Sequence, residues 1–233
     1  MFTGAGISTE SGIPDFRGKG GVWERFQPVL YEDFLRSATA RKKYWRQRKE
    51  LYAAQLKARP NPGHFAIAKL HTLNRLHGLI TQNIDGLHQM AGNDPERICE
   101  LHGTNTRTRC LSCGVLEPAQ DSYDRLLAGE EMLTCPACGG IQKPDTISFG
   151  QPLDQAVLNR AIRWARECDC LLAVGSTLLV EPAASLPRLA HAEGAALAMV
   201  NLSETPLDSL AQIVIRAPAA ATLAGAVALL TPV

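Results

Sequence analysis

Two cysteine pairs, Cys110-Leu111-Ser112-Cys113 and Cys135-Pro136-Ala137-Cys138, constrain this chain more than any other feature. The two-residue gap lets neighbouring thiolates grip one ion, and two such pairs close a tetrahedral Zn²⁺ shell. A four-thiolate shell has no open position for water, so the predicted ion braces the fold and performs no chemistry. With 233 residues, 45% apolar and 20% charged, the chain has material for one large domain that carries such a module as an insert. Cys99, Cys168 and Cys170 remain, too few and too unevenly placed for a disulfide framework. They read as small buried hydrophobes in a reducing compartment.

The formal charge of +1 provides no global field for nucleic acid or an anionic membrane, and neither is an expected partner. No secretory signal peptide is expected. The alanine-rich tail over 217–233 is interrupted by Gly225 and Pro232 and is too short to span a bilayer. A cytoplasmic location is expected. Only Met1-Phe2-Thr3 stands ahead of the Gly4-Ala5-Gly6 turn, where a buried strand of several residues is expected. The native protein is therefore expected to carry additional N-terminal residues.

Hydrophobic periodicity predicts a helix over about 31–59, with Tyr44, Trp45, Leu51, Tyr52 and Leu56 on one face and Pro60 as its stop. That stretch carries eight Lys or Arg between Arg41 and Arg59 against one acid, Glu50, and reads as a solvated basic face. Further helices are predicted over 64–76, 123–127, 156–166, 186–193 and 219–230. Strands are predicted over 77–81, 98–101, 169–174, 195–201 and 213–215. The alternation predicts an α/β fold, a doubly wound parallel, Rossmann-like sheet with an inserted zinc module and a helical insertion. The chain divides as one domain over 1–233. Its Rossmann-like part covers 1–25, 64–105 and 141–233, the helical insertion 26–63 and the zinc module 106–140.

Gly4-Ala5-Gly6 is an incomplete dinucleotide fingerprint, because Thr9 stands where a third glycine would be and no ribose-binding acid ends a second strand. An ordinary dehydrogenase is disfavoured. A helix N-terminus after Gly6 would still favour a phosphate. Gln82-Asn83-Ile84-Asp85 and His102 each follow a predicted strand, at the edge where open α/β sheets bind ligands. A histidine there titrates near neutrality and suits a general base.

The run Gly4 to Gly18, Thr81 to His88, Glu100-Leu101-His102-Gly103 and the cysteine pairs closely resemble the sirtuin family of NAD-dependent protein deacylases, in its bacterial-type members. Lys143-Pro144-Asp145, Phe149-Gly150, Gly175-Ser176-Thr177-Leu178 and Val200-Asn201-Leu202 agree, in the family's order, over essentially the whole chain. The resemblance implies NAD as co-substrate, one structural Zn²⁺ held by Cys110, Cys113, Cys135 and Cys138, and acylated lysines in proteins or peptides as substrates. It places Gly4, Ala5 and Gly6 against the NAD pyrophosphate. Glu10, Asp15, Phe16 and Arg17 fall on the loop covering the cofactor, with Phe16 shielding the nicotinamide side. Gln82, Asn83 and Asp85 hold the nicotinamide ribose and carboxamide, while Gly175, Ser176, Thr177 and Asn201 line the adenosine side.

His102 is then the general base, with Asn83 beside it in the catalytic set. The acyl-lysine carbonyl attacks the nicotinamide ribose carbon, and the products are free lysine, nicotinamide and O-acyl-ADP-ribose. The peptide is held as an added strand between Ser148-Phe149-Gly150 and Leu178-Leu179-Val180-Glu181, giving Phe149, Gly150, Leu178 and Val180 as substrate residues. His64 is expected to pack at a helix start and His88 to orient the Asn83–Asp85 loop.

Two departures from the family pattern bear on specificity. Gln151 stands where an acid usually follows Phe-Gly. The Tyr-x-x-Arg pair of enzymes that remove acidic acyl groups is Tyr44 followed by Gln47, with Arg48 one position later. The expectation is deacetylation. The alternatives are removal of longer or acidic acyl groups, protein ADP-ribosylation, or, from another class, a non-catalytic zinc-ribbon binding protein.

Overall fold

Six parallel strands form the centre of the computed structural model, which describes residues 1–16 and 21–230, Trp23 for its backbone alone. In chain order the strands are β1 (Phe2–Thr3), β2 (Leu79–Thr81), β3 (Ile98–Glu100), β4 (Gly103–Cys110), β5 (Leu116–Pro118), β6 (Gln142–Thr146), β7 (Cys170–Val174), β8 (Ala196–Val200) and β9 (Ile213–Ile215). The large sheet has the order β3-β2-β1-β7-β8-β9, and β5-β4-β6 make a separate antiparallel sheet. From β1 the chain builds outward to β2 and β3, then resumes on the other side at β7. The point where strand order reverses lies between β1 and β7, where doubly wound sheets open a crevice.

Side-chain alternation sends successive residues to opposite faces. Phe2, Ile80, Cys99, Leu171, Ala173, Leu197 and Met199 fill one core. Leu79, Ile98, Val174 and Val200 fill the other. The helices are α1 (Val22–Arg25), α2 (Tyr31–Arg36), α3 (Ala38–Lys57), α4 (Pro62–Thr72), α5 (Leu87–Met90), α6 (Ala119–Leu127), α7 (Gln155–Glu167), α8 (Ser185–Ala192) and α9 (Ala219–Ala228). Ala161 and Ala165 of α7 and Leu186 and Ala190 of α8 pack on the first face. Ala66 and Ile67 of α4 and Leu223 and Val227 of α9 pack on the second. Among the described residues no helix is long and apolar enough to cross a membrane.

Three local expectations are corrected. The helix over 31–59 is two helices, because Ser37 is extended (φ −119°, ψ 120°) and its Oγ accepts from Ala40 N at 3.2 Å. A serine in that geometry caps a new helix more favourably than it continues the old one. No α-helix follows Gly6. Two 3₁₀ turns, Ala5–Ile7 and Thr9–Ser11, are ended by Gly12 at φ 84°, and Pro14 keeps Ile13 from helical geometry. The antiparallel sheet around the cysteines was missed, since its strands carry little apolar alternation.

Candidate active site

A cavity of about 920 Å³ opens at the carboxyl ends of β1, β2, β7 and β8. Its floor is where two loops meet. Gly4 N donates to Val174 O at 3.0 Å and Gly6 N to Gly175 O at 2.8 Å. A Cβ on Gly4 would lie 2.7 Å from Gly175 O, and one on Gly6 would lie 2.7 Å from Gly175 Cα. Gly175 itself sits at φ 62°, where side chains are strained. These glycines are required because backbone meets backbone.

Behind the floor lies a buried polar network centred on Ser8, which is 1% exposed. Ser8 Oγ donates to Asp85 Oδ2 at 2.7 Å and accepts from Asn83 Nδ2 at 3.2 Å. The other Asp85 oxygen accepts from Leu87 N at 2.9 Å. Burial raises the Asp85 carboxyl above the ordinary carboxylate range, against these donors. Thr3 Oγ1 bonds Thr81 Oγ1 at 2.9 Å and His88 Nε2 at 3.1 Å. The His64 and His88 rings lie 4.9 Å apart, and burial lowers His64 to about 4 and His88 to about 3. Both stay neutral at pH 7 and serve as wedges and hydrogen-bond partners.

His102 occupies the cavity wall just past β3. Its Nδ1 lies 3.0 Å from Gln82 O. A carbonyl only accepts, so Nδ1 carries a proton, and in the neutral ring the lone pair is then on Nε2. The His102 carbonyl accepts from Ile147 N at 2.8 Å, which fixes the backbone from the other side. Gln82 Nε2 donates to Ser176 Oγ at 2.8 Å, joining the β2 and β7 loops across the cleft.

The cavity brings together Gly4, Ala5, Gly6, Glu10, Asp15, Phe16, Gln82, Asn83, His102, Phe149, Gly150, Gly175, Ser176, Thr177, Val180 and Asn201. Asp85 and Leu178 do not line it. Asp85 stands behind Asn83 as an anchor, and Leu178 is a core residue, 5% exposed, on a turn at φ 52°. Arg17 lies outside the described residues. Glu10 Oε1 accepts from Ala220 N at 2.9 Å, so the first loop is tied to the start of α9. Ser8, Thr3 and Thr81 were not singled out from the sequence; nothing in a lone hydroxyl marks it as a hub. Tyr44, Gln47 and Arg48 also line the cavity, the second departure noted above.

None of the four paired cysteines lines the cavity. Their sulfur atoms all lie within 4.8 Å of one another, with Cys110–Cys138 at 3.6 Å and Cys113–Cys135 at 3.7 Å. Tetrahedral Zn–S bonds of about 2.3 Å place sulfurs about 3.8 Å apart, so the set fits the ion. The Cys113 and Ser112 N–H groups lower the Cys110 thiol to about 6. Against the Gly140 N–H, the neighbouring sulfurs of Cys113, Cys110 and Cys135 push the Cys138 thiol up to about 12, so the fit to an ion rests on the sulfur spacing.

A Rossmann-like sheet with a histidine at its switch-point cavity, joined to a closed four-thiolate module, defines a dinucleotide-site protein with a structural metal. The model described as the Sir2 family matches residues 4–182. The NAD-dependent protein deacetylase of Thermodesulfovibrio yellowstonii is 45% identical over 91% of this chain and 82% of its own length. The NAD-dependent protein deacylase 2 of Pyrobaculum aerophilum is 39% identical over 96% of this chain and 87% of its own. A solved Sir2 with a deacetylated p53 peptide and 3′-O-acetyl-ADP-ribose aligns with a TM-score of 0.89 at 35% identity, covering 95% of this chain and 89% of that one. The chain belongs to the Sir2 family.

Proposed function

We propose that this chain removes acetyl groups from protein lysines, with NAD consumed as co-substrate and His102 as general base. The coarser part follows from the family: the chain is an NAD-dependent protein deacylase acting on acylated lysine in proteins or peptides. NAD supplies the activated glycosidic carbon. The chain's own residues position and protect it. The Gly4 and Gly6 N–H groups are engaged by β7 and the loop after it, so phosphate contact from this loop falls to Ala5. Ser8 fixes the Asn83 amide beside His102, where it orients the reacting ribose. Phe16 on the wall excludes water. Nε2 of His102 then accepts a ribose hydroxyl proton, an assignment supported by the Nδ1–Gln82 bond.

That bond is the observation that carries the reading. It gives a half-buried imidazole one defined tautomer, aimed at a cavity bounded by both glycine loops. The test is a panel of acetyl-, butyryl- and succinyl-lysine peptides with NAD. Acetyl-lysine is expected to turn over fastest, and His102→Ala to lose at least about 10²-fold in turnover while keeping zinc and melting temperature. Nicotinamide release without deacylated lysine would instead establish ADP-ribosyl transfer.

One observation favours a second reading, removal of acidic acyl groups. Arg48 donates to Tyr44 Oη at 3.2 Å, Asn105 Oδ1 at 3.4 Å and Thr146 Oγ1 at 3.2 Å, all neutral acceptors. Lys143, 1% exposed, donates to the Thr146 and Pro144 carbonyls. Burial pushes the Tyr44 hydroxyl up, yet Arg48 and Lys143 outweigh it and lower its pKa. Arg48 lines the cavity and Lys143 backs it. Among the described residues neither is in an ion pair. Succinyl-lysine outpacing acetyl-lysine would decide for this reading.

A further inference from the structure

We propose that Glu181 is a specificity-determining residue that recognises a cationic side chain of the substrate peptide flanking the acyl-lysine. The inference rests on the deacylase reading and on a peptide passing between Ser148–Gly150 and Leu178–Glu181. Both segments line the same cavity through Ser148, Phe149, Gly150, Val180 and Glu181, and neither is part of a sheet. The Phe149 and Val180 carbonyls and both backbone groups of Ser148 are bonded within the chain, so an added strand would pair with the backbone of Leu179 and Glu181 and the Val180 N–H. Phe149 is 40% and Leu179 60% exposed, as expected of a groove rim.

The charges on this cavity are unevenly committed. Glu10 is taken by the α9 backbone, and Arg48 is held by three neutral acceptors. Glu181 is exposed, is held by the Ser185 hydroxyl at 2.6 Å, and makes no ion pair among the described residues. Ser185 opens α8, and Ala184 N donates to Val180 O at 2.9 Å, so the carboxylate stands on a fixed turn. Across the groove Gln151 closes its own turn: its Oε1 accepts from Ser148 N at 3.2 Å and its N–H donates to Ser148 O at 2.9 Å. Of these two segments, the acid is thus on the α8 side.

A cation reaching Glu181 makes a partly exposed pair, which corresponds to roughly a 2- to 5-fold preference and shrinks with salt. The experiment compares acetyl-lysine peptides carrying Arg, Gln or Glu at each flanking position, on wild type, Glu181→Gln and Glu181→Lys. The expected result is an Arg-over-Gln advantage in kcat/KM at one position, carried by KM. It should fall to unity in Glu181→Gln, invert toward the Glu peptide in Glu181→Lys, and fade in about 0.5 M NaCl at this screening length. An unchanged advantage in both variants, or none in wild type, overturns the assignment while deacylation stands. Failure of wild type to turn over any peptide with NAD overturns the deacylase reading, and the assignment with it.

Discussion

Replacing Asn61 with alanine probes how the nucleotide loop is held. Asn61 is 6% exposed and works in two directions. Its Oδ1 accepts from Gly63 N at 2.9 Å and His64 N at 3.4 Å, capping α4. Its Nδ2 donates to Ile7 O at 2.7 Å and Ser11 Oγ at 3.0 Å, holding the loop that follows Gly6. Loss of the cap costs about 1 kcal/mol. Leaving the Ile7 carbonyl buried without a donor costs about 1–3 kcal/mol more, whereas Ser11 is half-exposed and can turn to water. The expected destabilisation is about 2–4 kcal/mol, read by urea denaturation, or a melting temperature lower by about 4–16 °C for a chain of this size. Because Ile7 adjoins the cavity floor, the KM for NAD should rise while zinc content is unchanged. Asn61→Asp keeps the capping oxygen but sets an acceptor against Ile7 O, so it should rescue neither stability nor KM. A melting temperature within about 2 °C of wild type for Asn61→Ala would refute the claim that this side chain ties helix to loop.

Two other perturbations have defined outcomes. Cys135→Ser, or removal of zinc by a chelator, is expected to unfold the cysteine module, because closed sites contribute folding energy outright; metal analysis and circular dichroism read it. His64 and His88, lowered to about 4 and about 3, bind protons more readily when unfolded, so stability is complete above the ordinary value near 6.5 and falls as pH drops toward their folded values. Between pH 6.5 and 5 each contributes a loss of about 2 kcal/mol, seen as a falling urea midpoint. A His88→Gln variant with an unaltered pH profile would count against this account.

What could be read from the chain, and what could not, divides along a physical line. The strands β7 and β8 are apolar runs that declare themselves, and two C-x-x-C pairs have few other uses. His102 stands two residues past β3, so a correct strand delivered it to the right edge. Ser8, Thr3 and Thr81 carry no such mark, since their role exists only once β1 and β2 lie side by side. The need for Gly175 was likewise hidden, because it comes from contact with Gly6, which is distant in sequence. Pro60 marked the end of one helix, but the start of the next lay in Asn61, a cap with proline at the first helical position, which the periodicity did not show. Asp85 had the right neighbourhood and the wrong exposure: sequence gives the loop, and only packing shows which of its residues turn inward.

The cysteine module and the cavity are connected by single elements. Strand β4 begins at Gly103, directly after His102, and ends at Cys110. Strand β6 begins four residues past Cys138 and leads through Ile147 to the Ser148–Gly150 rim. The two strands pair antiparallel, Cys110 opposite Gln142 at one end and Gly103 opposite Thr146 at the other. One end of this ribbon therefore carries the paired cysteines, and the other carries His102 and the Ser148–Gly150 segment of the cavity wall. The ribbon is pinned near the cavity by the Ile147 N to His102 O bond and, where its register shifts between Gly103 and Thr108, by Asp145 gripping Arg107 and Arg109. An ion held at the cysteine end would stiffen the same ribbon from which His102 and the Ser148–Gly150 segment hang.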